Sequence, residues 1–134
     1  MRAILTPDDL RKGDLVPPGW YPVEIVNYEE SEASAEAKNP GSTNCTFYFK
    51  VLDGAYKGTE LKRLFNETAM GFGKALYATL GFPKTADGGY ELSTELFMQT
   101  KGHKLQVYVK RATSNKGNEY NDVADFRSLS VKGA

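Results

Sequence analysis

With 134 residues, 40% of them hydrophobic and 25% charged, the chain has the composition of one globular domain and no apolar run as long as a membrane span. Its 17 basic and 17 acidic side chains cancel, which excludes a uniformly basic nucleic-acid protein. One cysteine, Cys45, excludes an intramolecular disulfide, and the first residues lack the apolar stretch of a secretory signal, so the cytoplasm is the expected compartment.

The charges are unevenly spread. Residues 1–61 hold 6 basic and 10 acidic side chains, a balance of −4, and residues 62–134 hold 11 and 7, a balance of +4. Within the second half Lys101, Lys104, Lys110, Arg111 and Lys116 follow one another with no acid between them. A local field of this kind attracts a polyanion even when the total is neutral, although scattered lysines that merely solubilise the surface explain the counts equally well.

In chain order, Thr6-Pro7-Asp8-Asp9-Leu10 predicts a short helix with Thr6 as its N-cap, ended by Gly13 and the Pro17-Pro18-Gly19 run. A first strand follows over Trp20–Tyr28, where Tyr21, Val23 and Ile25 alternate with Pro22 and Glu24. Pro22 donates no ladder hydrogen bond, which places the start of this strand at an edge or rim, and Trp20 is expected to close the bottom of the fold. Glu29–Ser42 is acidic and rich in small residues, and predicts a long mobile loop. The second strand, Thr43–Leu52, puts Cys45, Phe47, Phe49 and Val51 on one side and Thr46, Tyr48 and Lys50 on the other. A turn over Asp53–Gly58 leads to a third strand, from Thr59 to about Phe65. Leu61 and Leu64 cannot both face a core on a regular strand, so a bulge is expected near Lys62-Arg63.

Phe72, Ala75, Leu76, Thr79 and Leu80 then fall at helical spacing, with Gly81 as the terminator. Ser93 is a candidate cap for a short helix through Leu96, Phe97 and Met98. The fourth strand, Lys104–Arg111, alternates Leu105, Val107 and Val109 inward with Lys104, Gln106, Tyr108 and Lys110 outward. After a hairpin loop over Thr113–Asn118 the fifth strand holds Tyr120, Val123 and Phe126. Three strands, a helix and two strands is the order of the OB-fold, so the expected architecture is mainly β: a five-stranded Greek-key barrel with one helix between strands three and four. An open antiparallel sheet with a helix on one face is the rival arrangement.

Little in the sequence points to catalysis. One cysteine and one histidine, His103, do not make a metal site, and a serine or cysteine nucleophile has no evident base. Gly71-Phe72-Gly73-Lys74-Ala75 has the look of a phosphate loop, but Thr68 stands where that motif needs glycine and Ala75 where it needs serine or threonine. The chain is therefore expected to be a binding protein rather than an enzyme, with no cofactor and no metal.

In an OB-fold, nucleic acid crosses the face of strands two and three. That rule selects Tyr48, Lys50, Lys62, Arg63 and Phe65, with Tyr28 at the mouth of the groove and Lys104, Tyr108, Lys110, Arg111 and Lys116 extending the path. Bases stack on rings and phosphates pair with cations, at about 1–3 kcal/mol per stacked base.

Three segments carry a resemblance: Pro18-Gly19-Trp20-Tyr21-Pro22-Val23-Glu24-Ile25, then Phe47-Tyr48-Phe49-Lys50-Val51-Leu52-Asp53-Gly54-Ala55-Tyr56-Lys57-Gly58, and Asn118-Glu119-Tyr120-Asn121-Asp122-Val123, together with Leu80-Gly81-Phe82. Over Pro18–Arg127 the chain resembles the small OB-fold single-stranded DNA-binding proteins of bacteriophages. The resemblance implies non-catalytic, sequence-tolerant coating of single-stranded DNA during phage DNA replication or recombination, in the host cytoplasm, with phage or host replication and recombination proteins as partners. The alternative is an interaction module within such a complex. A homodimer through a barrel edge is compatible with the sequence, which does not demand one. Bacterial proteins of this kind usually end in an acidic tail, whereas the residues here are Val131-Lys132-Gly133-Ala134, so recruitment through such a tail is not expected. The glutamates of Glu29–Glu36 border the expected groove and are candidates either to substitute for that tail or to fold over the groove when DNA is absent.

Overall fold

The computed structural model describes residues 2–4 and 14–131, and the helix expected over Thr6–Leu10 lies outside them. The chain forms β1 (Gly19–Glu32), β2 (Thr43–Val51), β3 (Glu60–Asn66), a 3-10 helix (Glu67–Gly73), α1 (Lys74–Thr79), α2 (Thr94–Met98), β4 (Lys104–Thr113) and β5 (Glu119–Arg127). The strands make one antiparallel sheet in the order β3-β2-β1-β4-β5. The fold is mainly β, with its helices between β3 and β4.

The inner face follows from strict alternation. Phe47, Phe49, Val51, Val23, Ile25, Leu105, Val107 and Val109 are all buried, as the apolar parity of their strands requires. Burying each such side chain contributes about 1.5–3 kcal/mol. Tyr77, Phe82 and Phe97 close one end as a stack, with Phe97 also meeting Tyr28 edge-on at 5.3 Å. Ser93 caps α2 by accepting from the Leu96 N–H at 3.2 Å, as its position predicted. Gly81, at φ +70°, follows the end of α1.

Several expectations are corrected. The sheet is not closed into a barrel: among the described residues no backbone ladder joins β3 to β5. The two edges run alongside each other and are joined by a side chain instead. Arg63 donates from Nη1 to the Val123 carbonyl at 3.0 Å, using an acceptor that a closing ladder would need. The bulge expected near Lys62-Arg63 does not occur, because β3 stays in register with β2 from Lys50–Glu60 to Asn44–Asn66. Leu61 and Phe65 face inward, and Leu64 is left outward at 48% exposure. The register shifts fall instead between Ile25 and Asn27 on β1 and between Tyr108 and Val109 on β4, opposite Asp125 and Val123.

The acidic stretch is strand as far as Glu32, so the connection to β2 covers only residues 33–42. Ala33 is buried there and its N–H donates to the Ser42 carbonyl at 2.8 Å. β1 occupies the centre of the sheet rather than an edge. Pro22 is tolerated because its carbonyl accepts from Leu52 N at 2.9 Å, past the Val23–Val51 pair that ends the β2 ladder, and its missing N–H faces the same side. Trp20 does not close the bottom. It lies on the outer face, edge-on to Tyr108 at 5.4 Å, with the Arg127 guanidinium 4.1 Å from its ring centroid. Phe72 belongs to the 3-10 helix, not to the buried face of α1.

Candidate functional site

The outer face of the sheet is set by the residues that alternate with the core. On β2 these are Thr46, Tyr48 and Lys50, and on β3 Glu60, Lys62 and Leu64, with Tyr48 directly opposite Lys62. Beyond the β3 edge comes β5, whose Tyr120 is 47% exposed. A cavity of about 300 Å³ occupies this junction, lined by Tyr48, Glu60, Leu61, Lys62, Glu119, Tyr120 and Asn121. A second hollow of about 280 Å³ shares Lys62, Tyr120 and Asn121 and continues past Leu64 and Asp122. Together they form a groove along the β3–β5 seam, with two tyrosines and a lysine at one end.

Each predicted site residue now has a position. Tyr48 and Lys62 line the groove, and Lys110 stands one strand beyond it, 3.9 Å from Asp122. Tyr28 and Phe65 are core residues, 6% and 2% exposed, and offer no free ring face. The Tyr28 hydroxyl donates to Glu30 Oε2 at 2.6 Å, and burial pushes its pKa well above the ordinary phenol value. Arg63 shares the inward parity of Leu61 and Phe65. Its guanidinium lies 4.8 Å from the Phe65 ring centroid and 3.7 Å from Asp122, so it is committed to the seam rather than to solvent. Arg111 is likewise committed: Nη2 donates to the Val16 carbonyl at 3.1 Å and Nη1 meets Glu119 at 3.8 Å.

The remaining cations are dispersed. Glu60, Lys50, Glu24 and Lys104 are successive register partners on β3, β2, β1 and β4, a row of alternating charge across four strands. Lys50 and Lys104 are thereby set opposite carboxylates. Tyr108 is level with Trp20 and so seven residues along β1 from Asn27, which faces Tyr48. Lys116 is exposed in the β4–β5 loop. The structure thus brings together Tyr48, Lys62 and, one strand further, Lys110, and it separates the others from them.

Two groove residues escaped the sequence reading. Tyr120 is not among the expected binding residues, yet it stands three positions from the buried Val123, and odd spacing on a strand puts side chains on opposite faces. Glu29 falls in the stretch expected to be a loop, yet its carboxylate accepts a hydrogen bond from the Tyr48 hydroxyl. That hydrogen bond, with a smaller contribution from burial, pushes the Tyr48 phenol up to about 12. Of the acidic stretch, Glu29 therefore does reach the groove face, as part of a strand.

A third hollow, about 260 Å³, is lined by Glu30, Thr43, Cys45, Glu67, Met70 and Phe97 among others. Burial raises the Cys45 thiol pKa, and the carboxylates there are held by Tyr28, Thr94 and the Thr43 N–H. Among the described residues no group of three or more His, Cys, Asp or Glu side chains is placed to hold a metal ion, and no helix is long and apolar enough to cross a membrane.

Fold and groove define a mainly β protein with an open five-stranded sheet and an aromatic groove along its seam. Residues 8–134 match the family described as protein of unknown function DUF669, and the chain belongs to that family. None of the curated proteins compared matches it.

Proposed function

We propose that this protein binds single-stranded DNA with little sequence preference and without catalysis, as an OB-fold whose β3–β5 seam is left open. The observation that carries the reading is the seam cavity, where Tyr48 and Tyr120 flank Lys62. Two rings and an ammonium group facing solvent match the stacking surfaces and phosphate partner that a single strand requires. The strand order and the seam position of the groove agree with the face an OB-fold uses. A role in phage DNA replication or recombination rests on the sequence resemblance alone.

A second reading has its own observation. Glu60 and Glu119 line the same cavity, Glu29 is bonded to its Tyr48, and these carboxylates repel phosphate, which favours an interaction module that takes a polypeptide on this face. Titration with fluorescent single- and double-stranded oligonucleotides at low and moderate salt separates the two. Single-strand binding is expected, with Tyr48→Ala and Tyr120→Ala each weakening it about 5- to 150-fold, the equivalent of about 1–3 kcal/mol per base. Absence of single-strand binding at low salt sinks the DNA reading and leaves the interaction module.

A further inference from the structure

One strongly exposed aromatic ring has no part in the groove. Phe72 is 77% exposed, near the end of the 3-10 helix that follows β3. The backbone that carries it is pinned on both sides. At the start, the Asn66 side chain accepts from Thr68 N at 3.0 Å and donates to Asn44 Oδ1 at 2.9 Å, and Glu67 accepts from Thr43 N at 2.7 Å. At the end, the buried Tyr77 donates its hydroxyl proton to the Met70 carbonyl at 2.7 Å. Tyr77 also lies so close under Gly73 that a Cβ added there would meet its ring at 2.5 Å.

Phe72 is thus a ring held out by a fixed knuckle. Gly71 and Gly73 flank it, so no neighbouring side chain shields either face, and a Cβ built at Gly71 meets nothing within 4 Å. Among the described residues no ring lies against Phe72 and no carboxylate pairs with the exposed Lys74 two positions on. An exposed ring and an unpaired ammonium group two positions apart supply the same two kinds of contact as the Tyr48–Lys62–Tyr120 cavity. The 3-10 helix packs on β3 and α1 packs on β5, so the knuckle sits where the seam ends. Asn66 lies four positions along β3 from Lys62, about 13 Å of strand.

We propose that Phe72 and Lys74 form a second nucleotide subsite, the ring stacking on a base and the ammonium group pairing with a phosphate, on a strand that leaves the seam cavity along β3. This inference rests on the reading of the seam as a single-stranded DNA groove. The test is fluorescence anisotropy with labelled dT12 at low salt on the whole chain. Phe72→Ala should weaken binding about five- to a hundredfold without lowering the melting temperature, since the ring makes no buried contacts, and Phe72→Tyr should restore it. Phe72→Trp should add a fluorescence signal, beyond that of Trp20, that dT12 quenches.

If the wild-type chain binds dT12 and Tyr48→Ala weakens it, while Phe72→Ala binds within twofold of wild type, the subsite is overturned and the groove reading stands. If the wild-type chain does not bind dT12 at low salt, both fall together.

Discussion

The side chain of Lys62 lies in the exposed series of β3 with Tyr48 opposite it, whereas the guanidinium of Arg63 crosses the seam to the Val123 carbonyl at 3.0 Å and lies 3.7 Å from Asp122. Sequence composition treats these two cations as equivalent, and the period of a strand makes them opposites. A charged hydrogen bond of this kind contributes about 1.5–3 kcal/mol, and its removal leaves the carbonyl of the buried Val123 unpaired. Arg63→Ala is therefore expected to lower the unfolding free energy by about 2 kcal/mol in urea while changing single-strand affinity little on the folded protein. Lys62→Ala should do the reverse, with stability within about 0.5 kcal/mol of wild type and a clear loss of binding. A stable Arg63→Ala variant that no longer binds DNA would restore Arg63 to the binding surface.

At the scale of elements, the stiffness of the β3–α1 connection depends on Gly73. It adopts φ −88°, a conformation any residue accepts, so alanine there would ordinarily stabilise by restricting the unfolded chain. The Tyr77 ring reverses the sign, because the added Cβ would lie 2.5 Å from a fully packed aromatic. Gly73→Ala should cost about 1–3 kcal/mol in chemical denaturation, and Gly71→Ala, with open space around it, should be close to neutral. A neutral Gly73→Ala would mean that Tyr77 moves aside and that the knuckle is not rigid. Such close approaches leave no trace in a one-dimensional pattern, which is why Phe72 read as a buried helical residue. What the pattern did carry was the strand order and the inward series of β2 and β4, where alternation is unbroken. Odd spacings were the ambiguous places. Leu61/Leu64 and Tyr120/Val123 are resolved by exposing one partner, whereas Val123/Phe126 is resolved by a register shift that buries both. Sequence alone does not choose between these outcomes, since the choice depends on what packs from the neighbouring strand.

For the whole molecule, net charge is zero, and the alternating row Glu60–Lys50–Glu24–Lys104 sets two lysines opposite carboxylates across the sheet. Lys110 shares Asp122 with Arg63, and Arg111 is paired with Glu119. Near the seam this leaves Lys62 and Lys74, neither of which has a carboxylate partner among the described residues. Affinity for a single strand should then come mainly from ring stacking, with only two phosphates neutralised. Each phosphate contributes about −0.7 to the slope of log affinity against log salt, so the expected slope is about −1.4, shallow for a nucleic-acid protein. Lys62→Ala and Lys74→Ala should each flatten it by about 0.7, and Tyr48→Ala should lower affinity at every salt concentration without changing the slope. Measuring Kd for dT12 over a tenfold range of salt tests this directly. A slope steeper than about −3 would require more than four neutralised phosphates, and the cations of the charge row would have to exchange their carboxylates for DNA.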